Sequence, residues 1–350
     1  MKAAGLIYGP QAHYLDHLAP ICHLLEIPLI VTEERLQVCA QKFYPRLKVK
    51  LLDYIHAPEQ IVKNFDLIFY SMPRPLFDEV FFFAQQFMRK KLHTIWCPHG
   101  NSDKGRHSVF MEALKEEEAA LVYGKRIIDF LIEKGAFNQL KGYVITGNYR
   151  DAFYRKEKAF FDSLINFKPG VRNILYAPTW QDYEKSSSFF AACPILLKEL
   201  PKNHTLIIKL HPNLVLENEI EVQNLIWKYE GKENIHFLID FPPVYPILDF
   251  VDLYIGDTSS IGYDFLTFNK PMFFLNQNQL GSYLYRCGIV IDPPDYEEIY
   301  SIIEKNIELD FSKARKEVYE ETFGKEKSLD LVKQEILKLY ELFSNDLSFL

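Results

Sequence analysis

Short apolar runs alternate with longer amphipathic stretches along this chain, and they come in two series. The first comprises Ala4-Gly5-Leu6-Ile7-Tyr8, Pro28-Leu29-Ile30-Val31-Thr32, Asp66-Leu67-Ile68-Phe69-Tyr70-Ser71, His93-Thr94-Ile95-Trp96 and residues 119–124 and 142–147. Between them, stretches such as 11–25 and 77–90 carry a helical period. A charged helical segment then ends at Lys168-Pro169-Gly170, and a second series begins: 173–178, 205–210, 235–239, 253–255, 271–275 and, as an edge, 289–291. Strand-like runs separated by helical periods define βαβ units and a parallel sheet. Two series in tandem predict two α/β domains, residues 1–168 and 169–310. The amphipathic remainder, 311–350, is expected to form C-terminal helices that cross back to the first domain.

Composition agrees with that division. A chain of 350 residues exceeds one ordinary domain, and 48% apolar with 25% charged residues suits full hydrophobic cores. The net charge of −7 argues against a nucleic-acid partner, which needs a basic surface. It leaves room for a phosphate-bearing small molecule, because a pocket can be positive on an acidic protein. Cys22, Cys39, Cys97, Cys193 and Cys287 form no C-x-x-C pair and read as reduced thiols. No run approaches the roughly 18 apolar residues of a membrane span, and the start lacks the apolar core of a signal peptide. A cytoplasmic location is expected.

In parallel sheets, ligands bind beyond the carboxyl ends of the strands, and four polar clusters stand at such ends. The first runs from Trp96 to Gly105. His99 beside Gly100 suits a general base or a phosphate ligand, and a turn histidine bonded to backbone accounts for it equally well. The second, Tyr176-Ala177-Pro178-Thr179-Trp180, reads as a strand-ending turn whose Thr179 and Trp180 are placed to meet a ligand. In the third, Lys209-Leu210-His211-Pro212-Asn213, alternation puts Lys209 and His211 on one face. A buried cation there needs a partner, either a phosphate or a carboxylate.

The fourth cluster is Gly256-Asp257-Thr258-Ser259-Ser260. Hydroxyls at the start of a helix, with its free N–H groups and dipole, make an anion site. A serine cap accounts for one hydroxyl, not three. Asp264, about one turn on, either accepts a ligand hydroxyl or favours the helix start. His13, His17 and His23 show no compelling ligand face. The chain carries no phosphate-binding G-x-x-x-x-G-K-[ST] loop, no G-x-G-x-x-G after its first strand and no H-E-x-x-H. A nucleotide triphosphatase, a simple dehydrogenase and a zinc hydrolase are disfavoured.

In order and spacing these motifs resemble the CDP-glycerol glycerophosphotransferase family, which primes and polymerises the glycerol-phosphate chains of teichoic acids. The resemblance rests on the HG pair at His99-Gly100, YAPTW at 176–180, KLHP at 209–212, and GDTSSIGYDF at 256–265 followed by Asn269-Lys270-Pro271. It implies a GT-B-like fold, two Rossmann-like domains facing a central cleft. It implies His99 as the base on an acceptor hydroxyl, with His211, Ser259 and Ser260 holding the donor pyrophosphate. Lys209, Thr179, Thr258 and Asp264 join the donor site; Gly100, Asn101 and Asp257 support it. The implied donor is CDP-glycerol or a similar nucleotide diphosphate, with no obligatory metal or cofactor, and the acceptor is a glycan or lipid-linked hydroxyl. Peripheral docking on the inner membrane face is an alternative use of the amphipathic tail. Departures are Pro98 and Asn101 around the HG pair, where the family commonly has Thr after Gly, Gln181 for Arg, and Thr258 for Tyr. Gly147-Asn148-Tyr149-Arg150 resembles a G-N-P-R turn without its proline.

The same cradle would serve a nucleotide-sugar glycosyltransferase or a UDP-sugar epimerase of GT-B fold, and these are the alternatives in enzyme class. A non-catalytic nucleotide-binding protein is the alternative outside it.

Overall fold

The structure, a computed structural model, describes residues 1–103, 109–181 and 183–346. Lys104 and Gly105 of the first polar cluster, and the last residues of the 311–350 segment, lie outside that set. The chain divides into two compact units. One gathers Met1–His99, the described residues up to Glu157 and those from Glu321 on; the other gathers Gly100 to Asp103 and Lys158–Glu320.

The first unit is built on a seven-stranded parallel sheet of order β3-β2-β1-β4-β5-β6-β7. Its strands are β1 (Ala3–Ile7), β2 (Leu29–Val31), β3 (Val49–Leu51), β4 (Leu67–Tyr70), β5 (His93–Trp96), β6 (Ala119–Val122) and β7 (Gly142–Ile145). β1, β4, β5 and β6 are buried along their whole length, as a sheet covered on both faces requires. β3 is not among the strands expected from sequence. It is a short edge strand, half to fully exposed, with Lys50 at its centre. The last helix, Leu329–Asp346, packs on β7, where Gly142 lets Leu339 and Leu342 approach.

The second unit holds a six-stranded parallel sheet of order β10-β9-β8-β11-β12-β13. Here β8 is Arg172–Ala177, β9 His204–Lys209, β10 Ile235–Leu238, β11 Leu253–Gly256, β12 Met272–Leu275 and β13 Ile289–Ile291. Leu206, Ile208, Ile255 and Phe273 of this sheet pack with Phe189, Leu196 and Leu197 of the helix Phe189–Lys198. Each such side chain stabilises the fold by about 1.5–3 kcal/mol on burial.

Both sheets change winding direction once, between β1 and β4 in the first unit and between β8 and β11 in the second. In open α/β sheets that switch point is where ligands sit. YAPTW leaves β8 and GDTSS leaves β11, the two strands flanking the second switch point, with Ala177 paired to Gly256. All five cysteines are unbridged and buried. Among the described residues no helix is long and apolar enough to cross a membrane.

Candidate functional site

In the first unit the strand-end chemistry centres on His99. Its Nδ1 lies 2.8 Å from the carbonyl oxygen of Ser71, the residue after β4. A carbonyl only accepts, so Nδ1 carries the proton and Nε2 presents a lone pair. Burial holds the imidazole below its ordinary pKa, opposed by the Ser71 bond. At neutral pH it is an uncharged proton acceptor.

Three further rings enclose it. The centroids of His13, Tyr14 and His17 lie 5.9, 5.3 and 6.5 Å from that of His99. His17 sits on the helix Tyr14–Leu25, and its Nδ1 is 2.7 Å from the Tyr123 hydroxyl. Tyr123 gives its own proton to the carbonyl of Pro98 at 2.9 Å, so His17 Nδ1 must be the donor to Tyr123. The Pro98 carbonyl belongs to the peptide bond that precedes His99, and this hydroxyl therefore fixes the His99 backbone from behind. Tyr123 is itself stacked on Tyr149, at 5.8 Å and 9°. Tyr149 donates to the His17 carbonyl at 2.7 Å. Burial keeps His17 well below its ordinary pKa, and the charges of Arg150, His99 and His13 add to that.

The Gly147-to-Arg150 turn anchors the same assembly. Asn148 caps the helix Tyr149–Lys156, and Arg150 forms a buried 2.8 Å ion pair with Asp16, which also accepts the Tyr44 hydroxyl. His17, Tyr123, Tyr149 and Ser71 are functional candidates that sequence reasoning missed. The i, i+4 histidines were the one available signal. Among the described residues no group of His, Cys, Asp and Glu is arranged to hold a metal ion.

The second unit brings together the residues read as an anion cradle. Asp257, fully buried, accepts Thr179 N–H at 2.8 Å, Ser188 N–H at 2.9 Å and the Ser188 hydroxyl at 3.0 Å. It ties the loop after β8 to the turn after β11. Thr179 is buried, and its carbonyl accepts the Ser187 hydroxyl at 2.8 Å. The three hydroxyls of the turn have separate fates. Thr258 lies 3.4 Å from the Tyr285 hydroxyl, and Ser259 caps the helix Ser260–Phe265 by accepting Ile261 N–H at 3.4 Å. Ser260 is half-buried, and its hydroxyl takes no protein partner among the described residues.

Asp264 lies on the helix that follows this turn. It is 3% exposed and accepts the Tyr245 hydroxyl at 3.4 Å, which places it in the support of the helix. Asn269, a left-handed residue ending the following turn, accepts from Arg315 at 2.8 Å and is structural as well.

Lys209 ends β9 and is 7% exposed. His211 caps the helix Pro212–Glu217 in an unusual way: its Nδ1 accepts Asn213 N–H at 3.2 Å. In the neutral ring the proton therefore sits on Nε2, the opposite of His99. The Trp180 ring lies 6.4 Å from that of His211. Gly100 and Asn101 also belong to this unit. Gly100, at φ +120°, leaves so little room that a Cβ would stand 2.7 Å from Ser260 Cβ.

Two Rossmann-like parallel units with donors, a cation and imidazoles at their strand ends define a GT-B-type fold. Solved structures share it. The wall teichoic acid polymerase TagF superposes with a TM-score of 0.61 at 12% identity, over 96% of this chain and 88% of that one. The S. aureus MnaA–UDP structure gives a TM-score of 0.61 at 12% identity, over 99% and 97%.

The family model of CDP-glycerol:poly(glycerophosphate) glycerophosphotransferases matches residues 120–310, more than half of the chain. The chain belongs to that family of transferases. It is also 29% identical to the teichoic acid glycerol-phosphate primase of Bacillus subtilis (strain 168) over 141 residues, 40% of this chain. The match spans about a third (34%) of the length of that curated relative.

Proposed function

We propose that this chain transfers glycerol phosphate, or a related polyol phosphate, from a CDP-linked donor to a hydroxyl of a glycan or lipid-linked acceptor, releasing CMP. The observation that carries the reading is the opposite tautomers of the two strand-end histidines. His99 Nε2 is free of a proton and can take one, and His211 Nε2 presents an N–H hydrogen-bond donor. Phosphoryl transfer needs both functions together with donors that absorb charge.

His99 Nε2 removes the proton of the acceptor hydroxyl as its oxygen bonds to the phosphorus bearing glycerol. The bond from that phosphorus to the bridging oxygen breaks, and the electron pair leaves with CMP. His211 Nε2–H hydrogen-bonds the departing phosphate, which leaves as CMP without taking a proton from the ring. Lys209 supplies a cation, and the Ser260 hydroxyl and the turn around it supply neutral donors. Thr258, Ser259, Thr179, Asp257 and Asp264 hold that turn in shape. No metal enters these steps, and activity is expected to survive EDTA. A lipid-linked acceptor would bring the reaction to the inner face of the cytoplasmic membrane.

The test is a thermal-shift panel of CDP-glycerol, CDP-ribitol, CMP, UDP-glucose and UDP-N-acetylglucosamine, followed by an assay of CMP release. A ligand at a hundred times its Kd stabilises by roughly 2.7 kcal/mol. The expected result is a shift with the cytidine compounds that weakens in Ser260→Ala, and loss of about 100-fold or more in kcat for His99→Gln and His211→Gln. A shift with the uridine compounds alone would replace this reading by a nucleotide-sugar enzyme. Cytidine binding with no turnover on any polyol or glycan acceptor would favour a silent binding protein.

A further inference from the structure

Asn101 is 3% exposed, and both polar atoms of its side chain, Oδ1 and Nδ2, are buried without a hydrogen-bond partner among the described residues. Buried polar groups are nearly always paired, and an orphaned one destabilises the fold that contains it. The residue cannot escape by swinging outward, because its neighbours are pinned. Gly100 packs on Ser260. Asp103 accepts the Tyr263 hydroxyl at 2.7 Å, the Ser282 hydroxyl at 2.5 Å and Leu284 N–H at 3.3 Å. Asn101 is thus held beside the Thr258-Ser259-Ser260 turn with a complete carboxamide left unused.

A carboxamide offers an acceptor and two donors side by side. Its complement is a group that accepts and donates at adjacent atoms, such as a phosphate oxygen next to a hydroxyl. A phosphate alone would leave Oδ1 unpaired, and a bare alkyl chain would leave it so too. We infer that Asn101 reads the transferred polyol phosphate, with Nδ2 donating to a phosphate oxygen and Oδ1 accepting from the neighbouring hydroxyl. The inference rests on the transferase reading above and adds the contact that selects a hydroxyl-bearing group.

The experiment compares CMP release from CDP-glycerol and from the CDP ester of 1,3-propanediol, which lacks the secondary hydroxyl. Wild type, Asn101→Leu and Asn101→Ser are assayed, and each is unfolded thermally without ligand. For Asn101→Leu, kcat/KM with CDP-glycerol should fall about tenfold, while that with the propanediol donor falls less than about threefold. Its unliganded Tm should match or exceed wild type, because leucine fills a similar volume without an orphaned amide. Should Asn101→Leu not fold, Asn101→Ser must show the same loss of discrimination.

Unchanged kcat/KM with CDP-glycerol, or an equal loss on both donors, overturns the inference. So does a lowered Tm with discrimination intact, which would mean that a bound water pairs the amide. Wild-type protein that releases no CMP from CDP-glycerol overturns the transferase reading and this inference together. Release with unaltered discrimination in the variants overturns this inference alone.

Discussion

Replacing Asp257 by alanine probes how the strand-end loops of the second unit are held. The carboxylate accepts two backbone N–H groups and one hydroxyl at 2.8–3.0 Å, all fully buried. Hydrogen bonds to a charged group contribute about 1.5–3 kcal/mol each, and a donor left without an acceptor costs about 1–3 kcal/mol. Removing a buried charge offsets part of that loss. The net expectation is a destabilisation of about 4 kcal/mol, hence a midpoint lowered by about 8–16 °C for a unit of this size. Asp257→Asn keeps the volume. Its oxygen serves Ser188 while its amide nitrogen faces the Thr179 N–H, so about half the loss is expected. Scanning calorimetry is the assay, since two units need not melt in one transition. Asp257→Ala within about 1 kcal/mol of wild type would refute the reasoning. Asp257→Asn as damaging as alanine would show that charge, not bond geometry, holds the loops.

Three other outcomes are expected. Tyr123→Phe frees the Pro98 carbonyl and removes the acceptor of His17. The kcat should drop about tenfold with KM little changed, and the acid limb of the pH profile should rise as water reaches His99; a purely structural role would leave that limb in place. Gly256→Ala drives a methyl group into the buried Tyr254 ring, which is stacked on Phe265 at 5.5 Å. Overpacking of this kind costs about 1–3 kcal/mol, measured by urea unfolding. Finally, His17 and His99 titrate below the unfolded value of 6.5, so the unfolded chain binds more protons from that pH downward. Stability should fall as pH drops below about 6.5 and level off once the folded-state pKa values are passed. His17→Gln should flatten that slope, as read from Tm against pH.

Much of the fold was legible because burial writes itself into composition. The run Thr205 to Ile208 is apolar or β-branched throughout, since β9 is covered on both faces. β3 was not legible for the opposite reason: an exposed edge of three residues with a lysine at its centre carries no such imprint. At the candidate site, the triple hydroxyl of 258–260 singled out one turn, and the structure divides it into a cap, a hydroxyl contact and one group left over. The helical register of Asp264 fits either a ligand contact or a residue that favours the helix start. Its partner, Tyr245, is set by tertiary packing that no local spacing records. The support of His99 was hidden likewise, since His17 and Tyr123 are separated by 106 positions in sequence. Isolated histidines on an apolar helix do not announce their partners.

The five buried thiols give the molecule a set of internal clocks. Cys22, Cys39 and Cys97 belong to the first unit, and Cys193 and Cys287 to the second. Burial pushes the Cys22 thiol up to about 12 and raises Cys97 and Cys193 as well. A protonated, inaccessible thiol does not react with an alkylating reagent, so modification must wait for local or global opening. Mass-resolved labelling would then time the opening of each unit separately on an unmutated chain, and a bound nucleotide would slow only the clocks in the unit that holds it.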